Sequence, residues 1–232
     1  MGKSPTIKMI VRNRLLALLY RIGGFVLSVF SILFWSSDTS RIGIHTLCYL
    51  PSLLSYYAAI IFFFLIVFTA IDLRKGFWGI ASGLYMPIGM SLTFFSFIQL
   101  TLHLGYTLPT GAAFLSLGEL FACFLLPLYS ILEWLLFEEK GTVNFSILPL
   151  WYLWPTLYLI LTLVRPSLWS SDPLLNGTPY PYAFMNFETH PVWLVLLYIV
   201  LATAVIAAIG VGLIVLNNLA AGKYRRKTRI LQ

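Results

Sequence analysis

Residues 111–137 read GAAFLSLGELFACFLLPLYSILEWLLF, an apolar run that carries two acids, Glu119 and Glu133. A hydrocarbon core about 30 Å thick needs about 20 apolar residues per helix, so the run predicts a membrane-spanning helix. At a rise of about 1.5 Å per residue, Glu119 is expected about 12 Å below the start of that helix, with Cys123 one turn deeper on the same face. An acid at that depth requires a hydrogen-bonding or ionic partner, or it has a functional role. We therefore expect Glu119 to face the interior of a helical bundle.

The composition of the 232 residues indicates an integral membrane protein. Hydrophobic residues make up 59%, charged residues 10%, and the mean hydropathy is +0.89, which leaves too little polar surface for a soluble globule. The net charge of +7 comes from basic clusters between apolar runs, where membrane orientation explains it better than nucleic-acid binding. The first apolar run continues to Trp35 without a small-residue cleavage site, which favours a retained anchor over a signal peptide.

Six apolar runs are long enough to cross a membrane: residues 15–35, 45–71, 77–102, 111–137, 145–164 and 192–216. Twelve of the 15 Lys and Arg residues fall on one side of the resulting helices, whereas the opposite side keeps only Arg41 and Arg165. The prediction is an all-α, multi-pass protein of the cell membrane with six transmembrane helices and both termini cytoplasmic. Residues 1–232 form a single domain, and the aromatic outer loop 165–191 folds back on the outer membrane interface.

The sixth run carries a stripe of small residues, Ala204, Ala208 and Gly212, at four-residue spacing. Small side chains let the backbone of another helix approach closely. The partner of this stripe is either another helix of the same bundle or a second copy of the chain.

Candidate chemistry centres on Ser52 and Ser55, which are expected at a depth similar to that of Glu119. In a catalytic interpretation, Ser52 is a nucleophile and Glu119 its acid or base, while Ser55 and Cys123 line the site. In a structural interpretation, the two serines bond to helix carbonyls near Pro51, and Glu119 is hydrogen-bonded within the bundle.

No metal or cofactor is expected. The three histidines, His45, His103 and His190, match no metal-binding spacing. The sequence also has no P-loop, no glycine-rich dinucleotide turn and no cluster of Cys and His ligands.

Three short stretches resemble the Pr-six-Pr family of bacterial six-helix membrane proteins. These stretches are Pro127 followed by Glu133-Trp134-Leu135-Leu136-Phe137, Tyr180-Pro181-Tyr182-Ala183-Phe184, and Ser52-Leu53-Leu54-Ser55-Tyr56. The family is itself similar to the androgen-induced membrane hydrolases, which cleave lipid esters with an intramembrane threonine and histidine. The resemblance implies a lipid-directed site and adds Glu133, Trp134, Tyr180, Tyr182 and Phe184 to the binding candidates.

The resemblance also exposes a departure from the family mechanism. Ser52 falls where the family has its threonine, but Ala122 or Cys123 falls where the family has its histidine. A serine without a base is a poor nucleophile at neutral pH. We therefore expect binding of a membrane lipid or partner through an outer-leaflet cavity and the aromatic loop, without catalysis. The alternative is a lipid ester hydrolase in which Glu119 replaces the histidine.

Overall fold

The computed structural model describes residues 11–38, 46–79, 81, 86–110, 116–138, 140–141, 143–168, 179–182 and 185–229. Within these residues the chain is all-helical, and the only extended pairing is an isolated bridge between Asn13 and Trp78. Its six long helices are α1 (Arg14–Asp38), α2 (Leu50–Leu73), α3 (Met86–Thr110), α4 (Leu117–Phe137), α5 (Leu148–Leu168) and α6 (Val192–Arg229).

Five of the six helices, all except α3, are long and apolar enough to cross a membrane. The apolar part of α3 is shorter, Ile88–Leu104. It includes a polar series, Ser96, Gln99 and His103, at three- and four-residue spacing. Such a set of helices is characteristic of a multi-pass membrane protein.

The helices alternate in direction between two ends of the bundle. At one end, called here the Arg14 end, α1 starts, and Glu138 after α4 lies against Gly89 near the start of α3. At the other, called the Tyr182 end, the Tyr182 hydroxyl meets the start of α2 at Leu50. The buried side chains of α3 contact both hydrophobic cores, so α3 lies among the other helices.

Helix α4 begins six residues later than the apolar run predicts. Ser116 caps the helix by accepting a hydrogen bond from the Glu119 backbone N–H at 3.1 Å. Glu119 therefore stands in the first turn, where an acid is favoured by the unpaired N–H groups and the helix dipole. The prediction that Glu119 lies about 12 Å below the helix start was wrong. Residues 111–115 lie outside the described part of the chain.

Helix α3 also starts later than predicted, at Met86 rather than residue 77. Gly76 and Gly79 adopt φ values of +105° and +140°, which a helix cannot contain. Phe77 and Trp78 belong instead to a turn at the Arg14 end.

The small-residue stripe of α6 faces away from the rest of the chain. Ala204 and Ala208 are exposed, and a Cβ at Gly212 would meet no described atom within 4 Å. Close packing within the bundle uses Gly210 instead, beside Leu148 of α5. The interpretation of the stripe as an intramolecular packing surface therefore fails at Ala204, Ala208 and Gly212, whereas Gly210, which widens the stripe, does pack within the bundle.

Candidate functional site

Buried and half-buried polar side chains form two groups, one at each end of the bundle. The first group, the Tyr182 cluster, consists of Gln99, His103, Glu119, Cys123 and Tyr182. The second group, the Arg21 network, consists of Arg21, Thr69, Glu133, Glu138 and Lys140.

A π-helical segment of α4, Leu120–Leu125, shapes the Tyr182 cluster. Pro127 lies two residues after this segment. In a regular α-helix, Pro127 could not donate a hydrogen bond to the Cys123 carbonyl, because proline has no N–H, and its ring would clash with that carbonyl. The wider turn relieves this conflict, and the Leu126 N–H bonds to the Phe121 carbonyl, five residues back. Such single-turn π segments are frequent at functional sites.

The side chains of α3 and α4 meet around Cys123. The Cys123 thiol is hydrogen-bonded to the Gln99 side chain, and both residues are buried. Glu119 lies close enough to interact electrostatically with Cys123 and with His103, one turn beyond Gln99. The structure thus places an amide, an imidazole, a carboxylate and a thiol together at the Tyr182 end.

Tyr182 covers this group from the segment before α6. Its hydroxyl accepts a hydrogen bond from the Leu50 backbone N–H at 3.3 Å and lies within hydrogen-bonding range of the Tyr158 hydroxyl. It is also close enough to Cys123 to interact electrostatically. Burial raises the pKa of Tyr182 to about 12, so the phenol stays protonated and can act as a donor.

Arg165 fixes the segment that carries Tyr182. Its Nη1 donates to the Pro179 carbonyl at 2.7 Å, and its Nε donates to the Cys48 sulfur at 3.3 Å. Tyr180 is buried and packs against Phe187, with ring centroids 6.1 Å apart. The described part of this segment is therefore docked onto the bundle. Phe184, the remaining aromatic candidate, lies outside the described residues.

The hydrogen bonding of Gln99, at the centre of the α3 side of the Tyr182 cluster, is incomplete among the described residues. Its Oε1 is buried and has no hydrogen-bond partner among the described residues. A buried carbonyl oxygen without a donor costs about 1–3 kcal/mol, so it marks a place for an external donor.

The serine candidates differ in their surroundings. Ser55 donates to the Pro51 carbonyl at 2.8 Å and pairs with Ser31 of α1 at 2.7 Å, as the structural interpretation predicts. Ser52 is buried two residues after Leu50, but the described residues show no hydrogen bond between Ser52 and Glu119. The Leu50–Tyr182 hydrogen bond brings the start of α2 to the Tyr182 cluster.

The Arg21 network ties α1, α2 and α4 together at the other end. Arg21 Nε donates to Glu133 Oε1 at 2.8 Å, and Nη1 donates to the Thr69 hydroxyl. The side chains of Arg21 and Glu133 are 0% and 3% exposed, so this ion pair is fully removed from solvent. Its geometry joins three spanning helices and indicates a structural role.

Lys140 and Glu138 extend the network beyond the end of α4. Lys140 Nζ donates a hydrogen bond to the Trp134 carbonyl. It also lies 4.2 Å from the centroid of the Trp134 ring, so Trp134 is a cation–π partner of Lys140. Burial and the negative charge of Glu133 raise the pKa of Glu138 to about 7. Burial also lowers the pKa of Lys140 to about 8, partly offset by the two glutamates.

An apolar groove of about 340 Å³ lies between α1 and α4. It is lined by Gly23, Val26, Leu27, Phe30, Leu125, Leu128, Tyr129 and Leu132. All eight residues lie in spanning segments, and none belongs to the Tyr182 cluster. The groove is suited to an aliphatic chain and offers almost no polar contacts.

Neither Gln99 nor Arg21 is among the site residues that the sequence predicts. The helical spacing of Ser96, Gln99 and His103 was a usable signal, because a polar series inside an apolar run marks an interior face. Arg21 had a similar signal, as the one base inside the first apolar run. Nothing in the sequence predicted that Arg21 pairs with Glu133, 112 residues away.

No family model matches this chain, and no curated protein or solved structure is detectably similar to it. The resemblance to the Pr-six-Pr family therefore stays a prediction. The two polar groups and the groove are the features on which a function can be argued.

Proposed function

We propose that the chain is a six-span protein of the cell membrane, with both termini cytoplasmic, that binds a membrane lipid at the Tyr182 cluster without catalysis. The observation that carries the proposal is the buried Gln99 Oε1 near the π-helical turn, for which the described residues provide no hydrogen-bond donor. The complementary ligand group is a hydroxyl or an amide N–H. Lipids with such a donor near the acyl ester or amide region present it at the depth of the helix ends.

A sixth span at α3 is supported by its surroundings. Buried side chains of α3 belong to both hydrophobic cores, and Ser96 and Gln99 are themselves buried, so these polar residues do not face hydrocarbon. The orientation follows from the basic residues, which concentrate near the Arg14 end. The Tyr182 cluster then lies in the outer half of the membrane.

A copurification experiment tests the binding proposal. The protein is extracted in mild detergent, and its retained lipids are identified by native mass spectrometry. We expect Gln99→Leu to lose a hydroxyl- or amide-bearing lipid that the parent chain retains, because leucine cannot accept a hydrogen bond. Ser96→Ala is the matched control, since Ser96 lies one turn away on α3 and already donates to the Leu92 carbonyl. Equal lipid retention by Gln99→Leu and the parent chain would contradict the proposal.

The alternative function, hydrolysis of a lipid ester by Ser52 with Glu119, makes a different prediction. Ester cleavage by the purified protein that disappears in Ser52→Ala and in Glu119→Gln would replace the binding proposal with the catalytic one. Thermal unfolding of both variants checks that the fold survives.

The outward stripe of α6 supports a second element of the proposal, self-association. Ala204, Ala208 and Gly212 leave room for a helix backbone from a second copy. Crosslinking of a cysteine at Ala208 between two copies in the membrane tests it, and an absence of crosslinked dimer would contradict it.

A further inference from the structure

A short two-stranded ribbon closes the Arg14 end of the bundle. Residues 12–14, before and at the start of α1, pair in antiparallel fashion with residues 77–79, and residues 74–76 form the turn that connects the second segment to α2. The Arg14 N–H donates to the Phe77 carbonyl at 2.9 Å, and the Gly79 N–H donates to the Arg12 carbonyl at 3.2 Å. We call residues 11–14 and 74–79 together the basic ribbon.

The Arg14 side chain makes the ribbon rigid. Its Nη1 donates to the carbonyls of Gly76 and Trp78, at 2.9 and 3.2 Å. A Cβ at Gly79 would lie 2.5 Å from Arg14 Nη2, so only glycine leaves room for this guanidinium. The charge of Arg14 is thus committed to holding the turn.

The ribbon presents two large aromatic side chains outward. Phe77 is 61% exposed and Trp78 is 78% exposed. The ribbon joins the ends of two spanning helices, so these rings lie at the membrane surface, where aromatic side chains are favoured. This position does not depend on which side of the membrane the ribbon occupies.

The charged side chains around these rings are strongly unbalanced. Arg12 and Arg74 are exposed and have no carboxylate partner among the described residues. The neighbouring acid, Asp72, is already paired with Lys75 at 2.8 Å. The ribbon therefore carries excess positive charge beside rings suited to the interfacial region.

We propose that the basic ribbon is a binding site for the phosphate headgroup of an anionic phospholipid. Arg12 and Arg74 supply the charge, while Trp78 and Phe77 insert beside the headgroup at the level of the glycerol backbone. The site is separate from the Tyr182 cluster and does not require that cluster to bind a lipid.

The charge contribution is tested in nanodiscs of phosphatidylcholine with increasing phosphatidylglycerol. Native mass spectrometry counts the phosphatidylglycerol molecules that stay bound. We expect Arg12→Gln/Arg74→Gln to weaken this binding about 30-fold, since each basic residue at an anionic surface contributes about fivefold. The control Arg225→Gln/Arg226→Gln removes the same charge from the end of α6 and is expected to change it much less. Equal losses in both double variants, or no loss in the ribbon variant, would overturn the proposal.

A second measurement leaves the arginines intact. Tryptophan fluorescence is recorded in nanodiscs that contain brominated phosphatidylglycerol or brominated phosphatidylcholine, each against the unbrominated lipid. Trp78 fluorescence is expected to be quenched more strongly by brominated phosphatidylglycerol than by brominated phosphatidylcholine, and Trp78→Phe is expected to remove this difference. The fluorescence lost in Trp193→Phe, at the opposite end of the bundle, is expected to be quenched equally by the two lipids. A Trp78 component quenched equally by both lipids would overturn the proposal.

Discussion

Arg21 and Glu133 form an ion pair inside the membrane-spanning region, and both side chains are buried. Removing one partner of such a pair leaves an uncompensated charge, which costs about 3–5 kcal/mol, whereas replacing both by apolar residues is often neutral or stabilising by 1–4 kcal/mol. We expect Glu133→Leu to lower the stability in detergent strongly and Arg21→Met/Glu133→Leu to restore it. Thermal unfolding of the single and double variants measures both. A double variant less stable than either single variant would show that the pair does more than join helices.

Glu138 gives the protein a pH-dependent stability. Its pKa is raised from 4.5 to about 7 by burial and by Glu133, so the folded state holds this proton more tightly than the unfolded state. The stabilisation is therefore complete below about pH 4.5, falls as the pH rises toward 7, and is absent above that. We expect Glu138→Gln to remove this fall. Unfolding in detergent at pH 5, 6 and 7 checks the prediction, and identical pH profiles for the variant and the parent would contradict it.

At the scale of the elements, α1 packs closely on its neighbours through adjacent glycines. A Cβ at Gly24 would lie 2.6 Å from the Phe62 ring of α2, and one at Gly23 would lie 2.6 Å from the Tyr129 hydroxyl of α4. We expect Gly24→Ala to cost about 1–3 kcal/mol, because the rigid ring must move. Gly212→Ala is the matched control, since its Cβ meets no described atom and alanine favours the helix by up to about 1 kcal/mol. Chemical unfolding measures both, and an equal effect of the two substitutions would rule out the close contact.

The π-helical segment of α4 sets the orientation of Glu119 relative to the rest of that helix. The extra residue in a π turn rotates everything before it by about 100° compared with a continuous α-helix. Glu119 and Cys123 can face α3 for this reason, while Glu133, beyond Pro127, faces α1.

At the scale of the whole molecule, the two buried polar groups lie at opposite ends of the bundle. The Arg21 network joins α1, α2 and α4, and the Tyr182 cluster joins α3 and α4 to the segment before α6. The ion pair that joins three helices and the cluster proposed to bind a lipid are thus separated by the apolar middle of the helices.

The proposed orientation is tested by labelling single cysteines with a membrane-impermeant reagent in a Cys48→Ser/Cys123→Ser background. Cysteines at Gly76 and Lys223 are expected to react only from the cytoplasmic side, and one at the exposed Thr189 only from outside, because the helices alternate and the basic residues mark the inner side. Outside labelling at Lys223 would contradict the orientation.

The sequence by itself determined the class of the protein, because the length and apolarity of a spanning helix are local properties of the chain. It also located nine of the twelve helix ends to within two turns; the exceptions are both ends of α3 and the C-terminal end of α6. The two large errors, at Glu119 and at Phe77, come from local signals that apolarity conceals: the Ser116 cap with an acid three residues later, and two glycines with positive φ. Only the tertiary structure decided which polar residues meet. Helices that are apolar on all faces give no periodicity from which their rotation can be read, so the Arg21–Glu133 pair, the Gln99–Cys123 contact and the outward stripe of α6 follow from packing across the bundle.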